Sequence, residues 1–318
     1  MLSTSIKKVL ITGASGLIGS HLLRIFADNN KYDVVGFYHS RLPVVEAKNI
    51  RHIREDLTRP TRLSKEMKDA DIVYALAGVI DRRPKNNQHH SQNVCISLNT
   101  LDAAISSGIK KVVFISSSTA YPNSNYKHTE ADMFLEEPPA KNFLSGWTIR
   151  YLEKIYESYF HSAKQSVDVV ILRPTAIYGE FDDFSIEKGH VLASTINRVV
   201  TGDYPIKLWG GPQNSRDYIY AGDVALACFK VLHLGKGFNI YNIGTGISTT
   251  VEEMVNKVLG ICKASDAQVE FGDKEVGKSH SILVDCKKAY EDLGFKTKYS
   301  IEDGLEKTIS WFRSERSM

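Results

Sequence analysis

The sequence predicts an α/β protein: a Rossmann-type doubly wound parallel sheet with a smaller C-terminal lobe. Three observations predict it. In the first half, short β-branched runs alternate with helical patterns, which implies βαβ crossovers. Those runs are continuously apolar, as strands covered on both faces are. A glycine triplet, Gly13-Ala-Ser-Gly16-Leu-Ile-Gly19, lies between the first such run and the first helical pattern.

Residues 7–12 (KKVLIT) read as the first strand and 17–27 as the helix it feeds. Residues 33–38 (DVVGFY) form a second strand, and a third ends just before Asp56 and Leu57. Residues 71–76 and 111–116 are further strands, with a helix around 94–106 between them. A helix over 145–162 leads into a strand over 167–172. In the second half, 192–200, 224–232 and 250–259 read as helices and 206–209 as a short strand. No repeat, low-complexity stretch or flexible linker interrupts the chain, so the C-terminal pieces are expected to pack on the sheet and not to hinge from it. The expected division is a dinucleotide-binding domain, 1–172 with about 217–248, and a substrate-binding lobe, 173–216 with about 249–318.

Composition narrows the function class. With 318 residues, 42% hydrophobic and 24% charged, the chain is long enough for a large core. A net charge of +3 makes no electrostatic case for nucleic acid or an anionic membrane. Cys95, Cys228, Cys262 and Cys286 are scattered, without CxxC spacing, and read as thiols of a reducing compartment. His89, His90 and the other histidines form no metal-ligand pattern, so no metal is expected. No run of about 18 apolar residues is present, and the N-terminal apolar stretch leads straight into the glycine motif, unlike a signal peptide. The cytoplasm is the expected location.

The glycine triplet follows a strand and opens a helix, the context in which it binds a dinucleotide. Gly13, Gly16 and Gly19 permit a tight turn and close backbone approach, and Ser15, Leu17 and Ile18 lie where the helix N-terminus meets the pyrophosphate. At the end of the second strand, an acidic residue would favour NAD. This chain has Gly36-Phe-Tyr-His39-Ser40-Arg41 there, which favours NADP over NAD: His39, Ser40 and Arg41 are suited to a 2′-phosphate. The alternative for Arg41 is a solvated loop charge. Asp56 and Leu57 are candidates for the adenine edge, and Leu76-Ala77-Gly78 ends the fourth strand with residues small enough for the backbone to approach the cofactor.

GASGLIG, ALAG, FISSSTAYP, LRPTAIYG, SRDYIYAGDVA, YNIGTG and DLGF occur in this order nearly end to end. On them the chain resembles the extended short-chain dehydrogenase/reductases of the NAD-dependent epimerase/dehydratase family, which act on nucleotide sugars. Residues 178–191, YGEFDDFSIEKGHV, and Leu208-Trp209-Gly210 look locally like the GDP-fucose synthase branch, which slightly favours a GDP-sugar. The resemblance implies that Ser117 bonds the reacting C4 oxygen, that Ser116, Pro174 and Thr175 border the nicotinamide, and that Arg216 clamps the diphosphate. It further implies that Ser118, Thr119, Tyr121 and Trp209 contact the substrate. For Arg216 the competing reading is a salt bridge to Asp217 or Asp223. The resemblance also implies a homodimer through the helices near 94–106 and 145–162.

The family's active site uses Tyr-x-x-x-Lys, whose spacing puts both side chains on one helix face. Ser145-Gly-Trp-Thr-Ile149-Arg-Tyr-Leu-Glu153-Lys154 aligns with the family's YGWTK followed by xxxEK, so Ser145 stands at the tyrosine position and Ile149 at the lysine position. Serine is too weak an acid and too short to replace the phenol, and Ile149 carries no charge to tune it. His190 matches the epimerising acid of the GDP-fucose synthases and titrates in a useful range; the competing reading is a buried, hydrogen-bonded histidine. The cysteine that accompanies it there is Thr119 here. Tyr126 and the loop Asp81-Arg82-Arg83 are further polar candidates. Two function classes stand: an NAD(P)-dependent nucleotide-sugar epimerase, reductase or dehydrogenase with a rearranged acid–base set, and a catalytically inactive homologue that binds cofactor or nucleotide sugar. A redox-sensing regulator is a third, disfavoured because it would not need the substrate-lobe motifs.

Overall fold

The computed structural model describes residues 7–79, 87–162, 167–187, 189–208, 211–272 and 282–317. In chain order the strands are β1 (Lys8–Thr12), β2 (Asp33–Tyr38), β3 (Ile50–Arg54), β4 (Ile72–Ala75), β5 (Lys111–Ile115), β6 (Asp168–Pro174), β7 (Ala176–Tyr178), β8 (Ile206–Leu208), β9 (Ser215–Arg216), β10 (Tyr218–Tyr220), β11 (Phe238–Ile243), β12 (Thr249–Thr250) and β13 (Val269–Phe271). The α-helices are α1 (Leu17–Ala27), α2 (Leu63–Met67), α3 (Gln88–Ser106), α4 (Phe143–Ser162), α5 (Val191–Thr201), α6 (Ala221–Val231), α7 (Val251–Cys262), α8 (Lys287–Leu293) and α9 (Ile301–Arg316).

Seven strands form one parallel sheet in the order β11-β6-β5-β4-β1-β2-β3. The chain builds outward from β1 in one direction through β2 and β3, then returns to β4 and builds in the other. That reversal makes the carboxyl ends of β1 and β4 a topological switch point, where open α/β sheets bind ligands. Alternation along each strand sends neighbouring residues to opposite faces. Val9 and Ile11 thus join a core with α1, α6 and α8, while Leu10 joins one with α2, α3 and α4. A third core, from α5, α7 and α9 with Tyr178 and Tyr220, fills the smaller lobe. Among the described residues no helix is long and apolar enough to cross a membrane.

The doubly wound parallel sheet expected from the sequence is the one observed. Element ends differ where polar residues open a helix: α3 starts at Gln88, because its first turns, QHHSQN, are polar and carry no apolar period. Strand β11 was not expected, since FNIYNI mixes amides into a buried strand. Helix α9 carried a readable signal, a capping box. Its Ser300 Oγ accepts the Asp303 N–H at 3.1 Å, while the Asp303 carboxylate accepts the Ser300 N–H at 3.1 Å. The segment 287–295 is placed with the sheet: Ala289, Leu293 and Phe295 are in the first core.

Candidate functional site

The glycine loop is built for close approach. Gly13 has φ +69°, and a Cβ there would lie 2.8 Å from the Ala77 nitrogen, so the turn after β1 packs directly on the end of β4. A Cβ on Gly19 would lie 2.3 Å from the Gly13 carbonyl oxygen, which fixes how closely α1 sits on the turn. Thr12 ties the two strand ends together: its hydroxyl accepts the Leu76 and Ala77 N–H groups at 3.1 and 3.2 Å. Gly16 is the N-cap of α1, no side chain caps the helix, and no acidic residue stands in its first turn. The first-turn N–H groups and the dipole therefore face the switch point, and the loop fits a pyrophosphate.

Around this loop the expected cofactor contacts sort by exposure. Arg41 is exposed, and its guanidinium is held by carbonyls: Nε donates to Ser15 O at 3.0 Å, Nη2 to the same oxygen, and Nη2 to Phe181 O at 3.0 Å. It is thus a bridge from the glycine loop to the smaller lobe, not a loosely solvated charge. His39 and Ser40 beside it are exposed. Asp56 is exposed and closes a turn, accepting the Thr58 N–H at 2.9 Å and hydroxyl at 2.7 Å, bonds that lower its pKa; Leu57 is buried. Gly78 is exposed, and Asn93 pins the following residue by accepting the Val79 N–H at 2.6 Å.

Beyond β5 the chain turns at Ser117, whose hydroxyl accepts the Thr119 N–H at 3.2 Å and lies 2.9 Å from the Thr119 hydroxyl. Ser117 is half-buried and Thr119 exposed, whereas Ser118 is buried. Two expectations are corrected here. Tyr121 is fully buried and does not line an open site; its hydroxyl donates to Asn242 Oδ1 at 2.7 Å and accepts from Arg173 Nη1 at 2.7 Å. Burial pushes its phenol far above the ordinary range, against the influence of Arg173. Ser116 is also buried, with its hydroxyl donated to Glu153 and so committed within the protein. Both belong to a network that the sequence reading missed. Arg173, at the end of β6, meets Glu153 of α4 through two bonds of 2.9 and 2.6 Å, with both side chains at most 2% exposed. Such a pair is tolerated in the interior because both charges are hydrogen-bonded at several atoms: Arg173 also donates to Tyr121 and to the Glu130 carbonyl, and Glu153 also accepts from Ser116. Pro174 and Thr175 follow it, buried beside Ile243 of β11.

Helix α4 brings the expected catalytic face to this turn, with other chemistry on it. The Ser145 hydroxyl donates to the Asn142 carbonyl at 3.0 Å. Ile149, partly buried, packs against Ala120, Tyr121, Met133 and Val284. Arg150 is buried and donates from Nε and Nη2 to the Ala120 carbonyl at 3.0 and 2.8 Å, with its guanidinium 5.1 Å from the Trp147 ring. Desolvation lowers its pKa, partly offset by Glu137 and Glu153. The one cation in these turns is therefore spent on holding the Ser117–Tyr121 turn. Tyr126 is exposed.

In the smaller lobe, His190 is the N-cap of α5 and its Nδ1 lies 3.0 Å from Asp182 Oδ2. It is partly exposed, so it is not the fully buried histidine of the competing reading. Arg216 sits on β9, and its Nη1 donates to the Ser215 carbonyl at 2.6 Å. The two carboxylates expected to compete for it are occupied. Asp217 accepts from Thr245 and Gly246 at 2.6 to 3.0 Å, while Asp223 accepts the Lys298 N–H at 2.8 Å. Trp209 and the loop Asp81-Arg82-Arg83 lie outside the described residues.

A model of the NAD dependent epimerase/dehydratase family matches residues 9–244. Among curated relatives, GDP-L-fucose synthase 1 of Arabidopsis thaliana is 25% identical, the match covering 96% of this chain and 93% of the relative. The UDP-glucose 4-epimerase of Mycolicibacterium smegmatis is 26% identical, covering 97% of this chain and 99% of the relative. Among solved structures, the UDP-glucuronic acid 4-epimerase from Bacillus cereus, in complex with UDP-glucuronic acid and NAD, superposes with a TM-score of 0.83. It is 25% identical, and the match covers 97% of this chain and 99% of that one.

Proposed function

This chain belongs to the NAD dependent epimerase/dehydratase family, and from that premise we propose that it is an NAD(P)-dependent nucleotide-sugar epimerase, reductase or dehydrogenase whose acid–base group is His190. The observation that carries the reading is the contrast inside one site. The glycine loop is shaped for a dinucleotide and Arg216 is engaged by no carboxylate among the described residues, while Ser145 and Ile149 bring neither a phenol nor a cation to the expected catalytic face. Gly13, Ser15, Gly16, Leu17, Ile18 and Gly19 hold the pyrophosphate, and Arg41, with His39 and Ser40, takes the 2′-phosphate of NADP. When bound, the nicotinamide accepts or returns hydride at the sugar carbon. The proton that leaves or returns at the same time needs a protein group, and imidazole is suited to it near neutral pH. Ser117 holds the reacting oxygen and Arg216 the diphosphate of a nucleotide sugar, with a GDP-sugar slightly favoured.

Phe143, Leu144, Trp147 and Tyr151 are exposed on α4, which supports a homodimer through this helix. The four cysteines are all unpaired, which supports a reducing, cytoplasmic setting. The test is to identify the dinucleotide carried by the purified protein and to follow the reduced-nicotinamide absorbance while GDP-, UDP-, CDP- and dTDP-sugars are added. A change with one sugar supports the enzyme and names its class. Binding of dinucleotide and sugar with no absorbance change and no product by mass spectrometry replaces it with a catalytically inactive binding protein.

A further inference from the structure

We propose that Asp182 is a positioning residue for His190, the two forming a carboxylate–imidazole pair that presents Nε2 as the proton-transfer nitrogen. The proposal rests on the reading of His190 as the acid–base group. A carboxylate only accepts, so the 3.0 Å contact makes Nδ1 the donor. A neutral imidazole has one N–H; with that hydrogen on Nδ1, Nε2 carries the lone pair. Exposure is graded in the same sense: the Asp182 side chain is 8% exposed and that of His190 43%. The carboxylate is thus the fixed partner and the ring the outward one.

The loop that carries Asp182 is held with unusual firmness. Phe181, immediately before it, has φ +70°, a left-handed conformation that a bulky side chain adopts only when its surroundings impose it. Its ring is buried beneath the Arg24 guanidinium at 4.3 Å and packs on His21 at 5.5 Å and Trp311 at 5.1 Å. Its carbonyl accepts from Arg41 at 3.0 Å. Glu180, one residue earlier, is buried and takes Arg24 at 3.0 Å and the Tyr220 hydroxyl at 2.7 Å. On the other side, Asp182 Oδ1 accepts the Asp183 N–H at 2.8 Å. Helix α1, the loop after β2 and helix α9 all grip the two residues ahead of Asp182. The carboxylate is therefore held by its own loop, and His190 Nδ1 meets it there. The same grip joins this pair to the glycine loop, because Arg41 holds Ser15 and Phe181 together.

Side-chain ¹⁵N NMR of histidine-labelled protein tests the arrangement without turnover, with the His190 signals assigned by their absence in His190→Gln. The expected result is neutral His190 with its hydrogen on Nδ1, and a shift toward the Nε2–H form in Asp182→Ala; a hydrogen on Nε2 in the unmodified protein overturns the proposal. With the nucleotide sugar that is turned over, Asp182→Ala is expected to lower kcat about 10-fold or more. KM should change within about twofold, and the fall in kcat should stay below the roughly 10²–10⁴ of removing an acid–base group itself. If His190→Gln abolishes turnover while Asp182→Ala leaves kcat and the tautomer unchanged, the pairing is wrong and the role of His190 stands. If His190→Gln leaves turnover intact, the role of His190 is wrong, and the catalytic part of the proposal falls with it. Should Asp182→Ala fail to fold, the spectrum of the unmodified protein and kcat of Asp182→Asn decide the question.

Discussion

Helices α1 and α4 both begin at the open end of the sheet, and they begin in opposite ways. The first turn of α1 is bare: glycine at the cap, no capping side chain, no acid, and N–H groups directed at the switch point. The first turns of α4 are filled. Ser145 bonds back to Asn142, Ile149 packs on a small apolar cluster, and Arg150 is committed to the Ala120 carbonyl. The first turn of α1 is left without side-chain partners, whereas that of α4 is satisfied by the chain itself. The difference teaches that binding geometry and acid–base chemistry are separable parts of one site. A glycine loop works by what is absent, and it stays open whatever occupies α4. Proton transfer works by what is present, and under the proposed function it falls to His190 and not to α4.

The comparison can be broken most directly at α1. Gly16→Asp places a carboxylate where the proposed function puts the pyrophosphate, a repulsion of about 4 kcal/mol at ~4 Å and an effective dielectric near 20, or roughly 10³-fold in Kd. Calorimetric titration with NAD and NADP should show that loss; unchanged affinity would mean that α1 is not the dinucleotide site.

The next effect concerns how α1 is held to the smaller lobe. His21 is buried beside Glu180 and Arg24, and burial is the main reason its pKa is lowered to about 4. Its ordinary value is 6.5, so between those pH values the unfolded chain binds the proton and the folded one does not. Stability is then complete above about pH 6.5 and falls as pH drops toward 4, by about 3 kcal/mol in all. Glu180, lowered by His21, Tyr220 and Arg24 against its own desolvation, adds a loss of the same sign on further acidification. Denaturant melts across pH 4–7 should show this slope, and His21→Gln should flatten it; equal slopes would remove His21 from the account.

A smaller effect sharpens the cofactor side. Arg41→Ala removes a charge-assisted contact worth about 1.5–3 kcal/mol, so NADP affinity should fall roughly 10-fold or more while NAD affinity changes little. An equal effect on both would show that Arg41 serves only as the bridge from Ser15 to Phe181. The smallest effect is expected at α4. Ile149→Lys withdraws part of an apolar side chain from the Ala120–Tyr121–Met133–Val284 cluster and should cost about 1 kcal/mol in a denaturant melt. A cost near zero would mean that the position tolerates a charge, and that its isoleucine is not a packing requirement.

Most of the fold was readable because its signals are local. Strand β1, the glycine triplet and helix α1 are contiguous, and each was placed within a residue of its observed ends. Helix α9 was readable from Ser300 and Asp303 and was passed over. Strand β11 was not readable: its asparagines belong in a buried strand only because Asn242 meets Tyr121, His128 and Asp285, residues far away in the chain. In the candidate site, Gly13, Gly16, Gly19 and Ser117 were proposed from motifs, and the structure shows the glycine turn and the Ser117 turn at the carboxyl ends of β1 and β5. The burial of Tyr121 and Ser116 was not readable in them, since a motif states order along the chain and says nothing of which side a hydroxyl faces. Asp182 was in view within YGEFDD and carried no assignable role, because nothing in an eight-residue separation brings it to His190.

The sequence by itself determined the parallel sheet, the switch point and the glycine loop, because strand period, helix period and glycine's freedom of φ act over a few residues at a time. Its resemblance to the family motif also sets Ser145 and Ile149 against the expected phenol and ammonium, an alignment that remains part of the proposal. Only the tertiary structure decided that Arg173 and Glu153 pair under the site, that Arg41 joins the glycine loop to the smaller lobe, and that Asp182 holds His190. Each of these depends on a charge finding its partner across a large sequence separation or across a tight loop. Such partners are chosen by burial, since a charge removed from water must be satisfied by whatever the packing of the sheet and lobe brings within reach.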